Sequence, residues 1–116
     1  GEILLTSIDK EGTGEGLDLE LINLVSNSVK IPVIAHGGVG NYEDVKNALE
    51  LTKIDGVAIS SLLHYSAIKK VKNNLSNTSE GNFEFIKNYK DFKNFSKYNL
   101  SELKKFLIRQ KISIRN

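Results

Sequence analysis

Cysteine is absent from this chain of 116 residues. That excludes a disulfide framework and thiol chemistry, and it fits a cytoplasmic location. Proline occurs once, as Pro32, at the start of an apolar run, where a strand tolerates it. No apolar run approaches the roughly 18 residues of a transmembrane helix. No basic segment followed by an apolar core opens the chain, so no signal peptide is visible and a membrane is not an expected partner. An excess of one charge is lacking too: 16 basic and 14 acidic residues leave a net charge of +2. Nucleic-acid binding asks for a concentrated basic face, so nucleic acid is not an expected partner either. An initiating methionine is missing; Gly1 leads at once into EILLTS, which reads as the middle of a longer protein. What remains is ordinary for a soluble globular domain: 40% hydrophobic and 26% charged residues, in a length that suits one modest domain.

The apolar pattern alternates between two periods. Glu2 to Ser7 reads as a strand, followed by a polar loop from Asp9 to Gly16. Asp18 is a candidate N-cap for a helix over Leu19 to Ser28, in which Leu21, Leu24 and Val25 share one face, with Ile22 and Val29 beside them. Ile31, Val33, Ile34 and Ala35 read as a strand buried on both faces, as in a parallel sheet. Asn41 is the next candidate N-cap, with Asp44 as capping-box partner, and its helix carries Val45, Ala48 and Leu49 on one face. Val57 to Ile59 is a third short strand ending at Ser60 and Ser61, and Leu62 to Val71 is helical. The order β-α-β-α-β-α implies right-handed crossovers and a parallel sheet with helices outside. A doubly wound sheet and part of a (β/α)8 barrel both fit. A closed barrel takes about 250 residues, so three units cannot complete one.

Residues 72–98 break the pattern. They hold many Asn and Lys with Phe83, Phe85, Ile86, Phe92 and Phe95 interspersed. Lysines among aromatics suit single-stranded nucleic acid, but acidic residues interrupt them and no RNA-binding motif is present. The stretch is read as an insertion before the final helix. That helix opens at Asn99 and Glu102 with Leu100, Leu103, Phe106 and Leu107 inward, and Ile112 and Ile114 close the chain as an extended tail.

The stretch IPVIAHGGVG, Ile31 to Gly40, carries the first chemical signal. A buried run ends in a histidine and a pair of glycines. Glycine permits positive φ and close approach to the main chain. Two readings follow: a tight strand-to-helix turn, or a cradle of N–H groups for an anion such as phosphate. Ligands of α/β folds bind at the carboxyl ends of the strands, where every loop here is rich in Gly, Ser, Thr or Asp.

The stretch GEILLTSIDKEGTGEGLD resembles the sixth strand and loop of the cyclase subunit family of imidazole glycerol phosphate synthase, whose pattern is close to GEILLTSIDxDGTxxGYD. The glycine turn after IPVIA, the segment DGVAISSLLHY and the ending SELKKFLIRQKISIR match the same family. The resemblance implies a partial (β/α)8 TIM barrel: strands six to eight with their helices, residues 1–116 forming the carboxyl-terminal part of a single barrel domain and 72–98 an insertion in it. It implies a cyclase of histidine biosynthesis that takes ammonia from a glutamine amidotransferase partner docked at the amino-terminal barrel face. The substrate is a phosphorylated ribotide; the products are imidazole glycerol phosphate and an aminoimidazole carboxamide ribotide. No cofactor is implied. The family's general acid and base are aspartates on the first and fifth strands, so no catalytic residue is expected here and the 116 residues alone are expected to be inactive.

Residue by residue, Gly37 and Gly38 match the phosphate loop of the seventh strand. Ser60 and Ser61 match the eighth-strand positions that close on the same phosphate, and they also suit capping of the next helix. Valine in place of Gly38 is expected to block approach to the main chain. Thr6 and Ser7 can offer hydroxyls to the ligand, and Asp9, Glu11 and Gly12 lie in the following loop. Glu11 stands where the family usually has aspartate, and reads equally as a substrate-positioning group or a solvated carboxylate. His36 stands where a small residue is usual. It reads as a phosphate contact or as a neutral strand-end residue; no second histidine or cysteine lies at metal-ligand spacing, so no metal site is expected. His64 reads as structural. Glu2 matches a charged ring that gates ammonia entry at the amino-terminal face. Two further readings stand beside the cyclase: a cyclase-like paralogue of surface-sugar amidation, and a non-catalytic, half-barrel-like assembly module that pairs with the missing barrel part or with itself through its open sheet edges.

Overall fold

The computed structural model describes residues 1–72 and 98–115. Among the described residues seven elements follow in order: β1 (Ile3–Thr6), α1 (Leu19–Ser28), β2 (Val33–His36), α2 (Tyr42–Leu51), β3 (Gly56–Ala58), α3 (Ser61–Lys72) and α4 (Leu100–Arg109). The strands form one parallel sheet in the order β1-β2-β3. Leu4, Ile34 and Gly56 lie across from one another, as do Thr6, His36 and Ala58. This is the β-α-β-α-β-α succession that the sequence pattern dictates. The insertion over 72–98 and its aromatics lie outside the described residues apart from Lys72 and Tyr98 at its ends.

Local chemistry sets the helix starts. The Asp18 carboxylate accepts the Leu21 N–H at 3.0 Å. Asn41 accepts the Asp44 N–H at 3.0 Å, while the Asp44 carboxylate accepts the N–H groups of Gly40 at 2.9 Å and Asn41 at 3.1 Å, a closed capping box. Asn99 accepts the Glu102 N–H at 2.8 Å. Each cap satisfies donors that the first turn leaves without partners.

The core lies on one side of the sheet. Val33 and Ala35 of β2, Ile22 of α1, Val45 and Ala48 of α2, Leu62 of α3, and Leu103 and Leu107 of α4 are buried. Leu5, Val57, Ile59 and Phe106 pack against that cluster. Two sequence expectations need correction. On α1 the buried row is Ile22 and Ser26, and Leu24 is 68% exposed. Two helical positions turn about 200° at 3.6 residues per turn, so a helix that seats Ile22 on the sheet points Leu24 away. On β2, Ile34 is half-buried and Ile31 lies outside the strand, exposed. The helices cover one face of the ribbon; the other, carrying Leu4 and Ile34, is partly open.

One long-range tie joins α2 to α4. The Tyr42 hydroxyl donates to the Asn99 carbonyl at 2.9 Å and accepts the Asn99 N–H at 2.8 Å. Its ring lies 4.5 Å from that of Tyr98 and 5.8 Å from that of Phe106. Burial, the largest cause, raises the Tyr42 pKa above its ordinary value, against the hydrogen bond to Asn99. Among the described residues no helix is long and apolar enough to cross a membrane.

Candidate functional site

The carboxyl ends of the strands open into two loops that lock together. In the first, the Ser7 carbonyl accepts the N–H groups of Lys10 at 3.3 Å and Glu11 at 3.0 Å, curling the chain after β1. Gly12, Gly14 and Gly16 then take positive φ. In the second, Gly37 and Gly38 leave β2 with φ of +100° and +98°. The Gly38 carbonyl accepts the Gly16 N–H at 2.8 Å, and the His36 carbonyl accepts the Ser7 N–H at 3.1 Å.

These glycines are required by the neighbouring loop. A Cβ on Gly37 would stand 2.8 Å from the Ser7 carbonyl oxygen. One on Gly38 would run into the Gly16 carbonyl, and one on Gly40 into the Gly14 carbonyl. The turn therefore exists for loop-on-loop packing, whatever else it holds. Valine at Gly38 would meet the protein's own backbone first.

The packed loops and the start of α3 surround one cleft. Of the residues singled out from the sequence, Glu11, Gly12, Gly37, Gly38, Ser60 and Ser61 line it, and His36 joins them. Gly14, Val39, Ala58 and Ile59 also line it; Gly14 could have been found as one more glycine of the loop, and Ala58 and Ile59 as the end of the strand that leads to Ser60. Thr6 stands one step behind, its hydroxyl 3.2 Å from His36 Nδ1. Ser7 is buried and donates to Asp18 at 3.3 Å. Asp9 is exposed and is not part of the lining, and Glu2 is exposed at the far, amino-terminal end of β1.

Residues of this lining carry donors. The Ser60 carbonyl accepts the N–H groups of Leu63 at 3.1 Å and His64 at 3.0 Å, so Ser60 occupies the N-cap position of α3. Among the described residues, the hydroxyls of Ser60 and Ser61 and the N–H groups of Gly38, Val39 and Ser61 enter none of the turn, cap or side-chain hydrogen bonds. Such groups at a helix N-terminus suit an anion. The enclosed part of the cleft is about 10 Å³, the room of a single water, so an anion held here would sit at the mouth. Glu11 brings a carboxylate to the same rim. Among the described residues no three His, Cys, Asp or Glu side chains gather as metal ligands.

Comparison with known proteins places this architecture. The family model described as "Histidine biosynthesis protein" matches residues 1–69, which hold all three strands and both glycine loops. The chain is 47% identical over 77 residues to the imidazole glycerol phosphate synthase subunit HisF of Lactococcus lactis subsp. cremoris (strain MG1363), covering 65% of this chain and 30% of that protein. It is also 47% identical over 77 residues to the subunit of the same name from Trichormus variabilis, with the same shares of each chain covered. The chain thus spans about 30% of the length of the curated relatives it matches. A parallel βα sheet whose glycine loops meet at its carboxyl edge, together with a family match over more than half its length, gives the conclusion that this chain belongs to the histidine biosynthesis protein family of TIM-barrel proteins.

Proposed function

We propose that the chain is part of the cyclase subunit of an imidazole glycerol phosphate synthase and that its cleft binds one phosphate of the ribotide substrate. The observation that carries this is the meeting of Gly37, Gly38, Ser60 and Ser61 around one cleft at the carboxyl edge of a parallel sheet. The glycine loop and the first turn of α3 supply N–H groups, and the two serines supply hydroxyls. Thr6 and Ser7 stand beneath the site; Glu11 and Gly12 shape its rim, and Asp9 belongs to the same loop. The share of these residues is to hold and orient the substrate, not to transfer protons, so the 116 residues alone do not turn over.

In this reading, ammonia reaches the substrate from a glutamine amidotransferase partner at the amino-terminal face, where Glu2 takes part in its gate. The products are imidazole glycerol phosphate and an aminoimidazole carboxamide ribotide, and the work is done in the cytoplasm without a cofactor. Titration of inorganic phosphate into the full-length protein tests the cleft. Ser61→Ala removes a hydrogen bond to a charged group, worth about 1.5–3 kcal/mol, and should weaken binding about tenfold or more. Equal affinity in the variant would take that hydroxyl out of the site, and no binding by either protein would refute the phosphate reading.

One observation favours a second reading, a paralogue of surface-sugar amidation. Glu11 and His36, the two departures from the cyclase pattern, both line the cleft. The full-length gene should restore growth of a histidine auxotroph if the first reading holds. Failure by a well-folded protein supports the paralogue.

A further inference from the structure

The anion cleft carries one side chain that neither the glycine turn nor the helix start explains. His36 ends β2 opposite Thr6 and Ala58, on the face of the sheet away from the buried Val33 and Ala35. It lines the cleft together with Gly37, Gly38 and Ser61. Its Nδ1 lies 3.2 Å from the Thr6 hydroxyl. Its Nε2 enters no hydrogen bond or ion pair among the described residues.

For the neutral ring, two proton arrangements satisfy the Thr6–His36 contact. If Nδ1–H donates to Thr6, Nε2 is a lone pair, which repels an anion, and the hydroxyl proton has no acceptor in the pair. If the Thr6 hydroxyl donates to Nδ1, the ring proton sits on Nε2 and is offered outward. Only the second arrangement attracts a phosphate oxygen. The rest of the lining consists of glycines, Ala58, the apolar Val39 and Ile59, the Ser60 and Ser61 hydroxyls and the Glu11 carboxylate, so among the lining side chains the imidazole and the two serines can donate to an anion, and the imidazole alone does so from the sheet.

We propose that His36 is an anion-binding residue of the cleft, its Nε2–H directed to an oxygen of a phosphate monoester, and that Thr6 is the positioning residue that fixes the ring. This rests on the phosphate reading of the cleft given above. The pair gives the site a directional donor on the inner sheet face, complementary to the glycine and helix N–H groups. It favours ligands whose phosphate presents oxygens to both sides at once.

The chain contains two histidines, and His64 is exposed on α3, so the imidazoles can be told apart by one substitution. The test is 15N-edited NMR of the 116-residue chain at about pH 8, above the ordinary imidazole range, at a concentration where sedimentation finds it monomeric, with inorganic phosphate added. The expected result is an Nε2–H tautomer at His36 whose nitrogen resonances shift with phosphate, while those of His64 stay. His36→Ala should weaken phosphate binding at least tenfold with amide signals outside the cleft unchanged. His36→Gln, which keeps a donor, should lose less, and Thr6→Val should leave the tautomer of His36 unsettled. If phosphate shifts the amides of Gly38, Val39 and Ser61 but leaves His36 untouched, the proposal falls and the cleft reading stands. If neither the amides nor His36 respond, the cleft reading fails and takes the proposal with it.

Discussion

At Gly38 two constraints ask for the same residue: a φ of +98° and a Gly16 carbonyl standing where a Cβ would be. Gly12 has a φ of +75° but nothing within 4 Å of its missing Cβ. The two positions should therefore respond differently. Gly12→Ala bears only the backbone strain of a left-handed residue, about 1–2 kcal/mol. Gly38→Val adds a collision with the main chain, and the loss should reach about 2–5 kcal/mol. Urea unfolding midpoints of the two variants measure this, and equal shifts would show that the loops can separate without cost. A drop in phosphate affinity in the valine variant would then report a damaged loop, so Ser61 and His36 are the cleaner probes of the cleft. The glycine pair was legible in the sequence as a place where something comes close to the main chain. That the nearest visitor is the loop carrying Gly16 was not, because a sequence shows the missing Cβ and not what fills its space. Asp9 and Glu11 show the same limit. Both sit in one polar loop, but the turn closed by the Ser7 carbonyl brings only Glu11 to the cleft.

The elements that the sequence marked most plainly are those set by bonds within three residues. Asp18, Asn41 and Asn99 cap their helices through contacts with Leu21, Asp44 and Glu102. Leu24 was misplaced because a helical wheel shows which residues share an arc and not which arc meets the sheet. The tie between Tyr42 and Asn99 spans 57 positions, beyond any local pattern. It governs how α4 attaches. Tyr42→Phe keeps the ring contacts with Tyr98 and Phe106 but leaves the Asn99 N–H and carbonyl without that partner. The expected loss is about 1–3 kcal/mol, read by thermal or urea unfolding, and an unchanged midpoint would mean water replaces the hydroxyl freely. The pH response follows from the same group. Burial, its largest cause, raises the pKa of Tyr42 in the folded chain, so the folded state holds this proton more firmly than the unfolded state. Its contribution is complete below the ordinary tyrosine value near 10 and is lost as pH rises through the higher folded value. Stability measured upward from about pH 9 should fall more steeply in the parent than in Tyr42→Phe. Parallel curves would remove Tyr42 as the cause.

At the scale of the molecule, three parallel strands carry the site but leave surfaces that helices do not cover. Among the described residues β1 and β3 each pair on one side only. Leu4, 61% exposed, lies on the sheet face that also carries the half-buried Ile34. A closed barrel of this family would cover both edges and turn this face inward, and the chain spans about 30% of its relatives' length. Prepared as 116 residues alone, it should therefore associate, through edge pairing that extends the sheet and through contact between apolar inner faces. Sedimentation velocity over a wide concentration range should show mass rising with concentration. Leu4→Lys should reduce that rise, because a charge on the inner face must then be desolvated when two faces meet. The cleft gives a second readout of the same state. His36 lies on that inner face, so association that covers it should weaken phosphate binding as protein concentration increases, and Leu4→Lys should restore it. A monomer at every concentration, unfolding in one cooperative step, would show that three βα units and α4 complete a stable core without further partners.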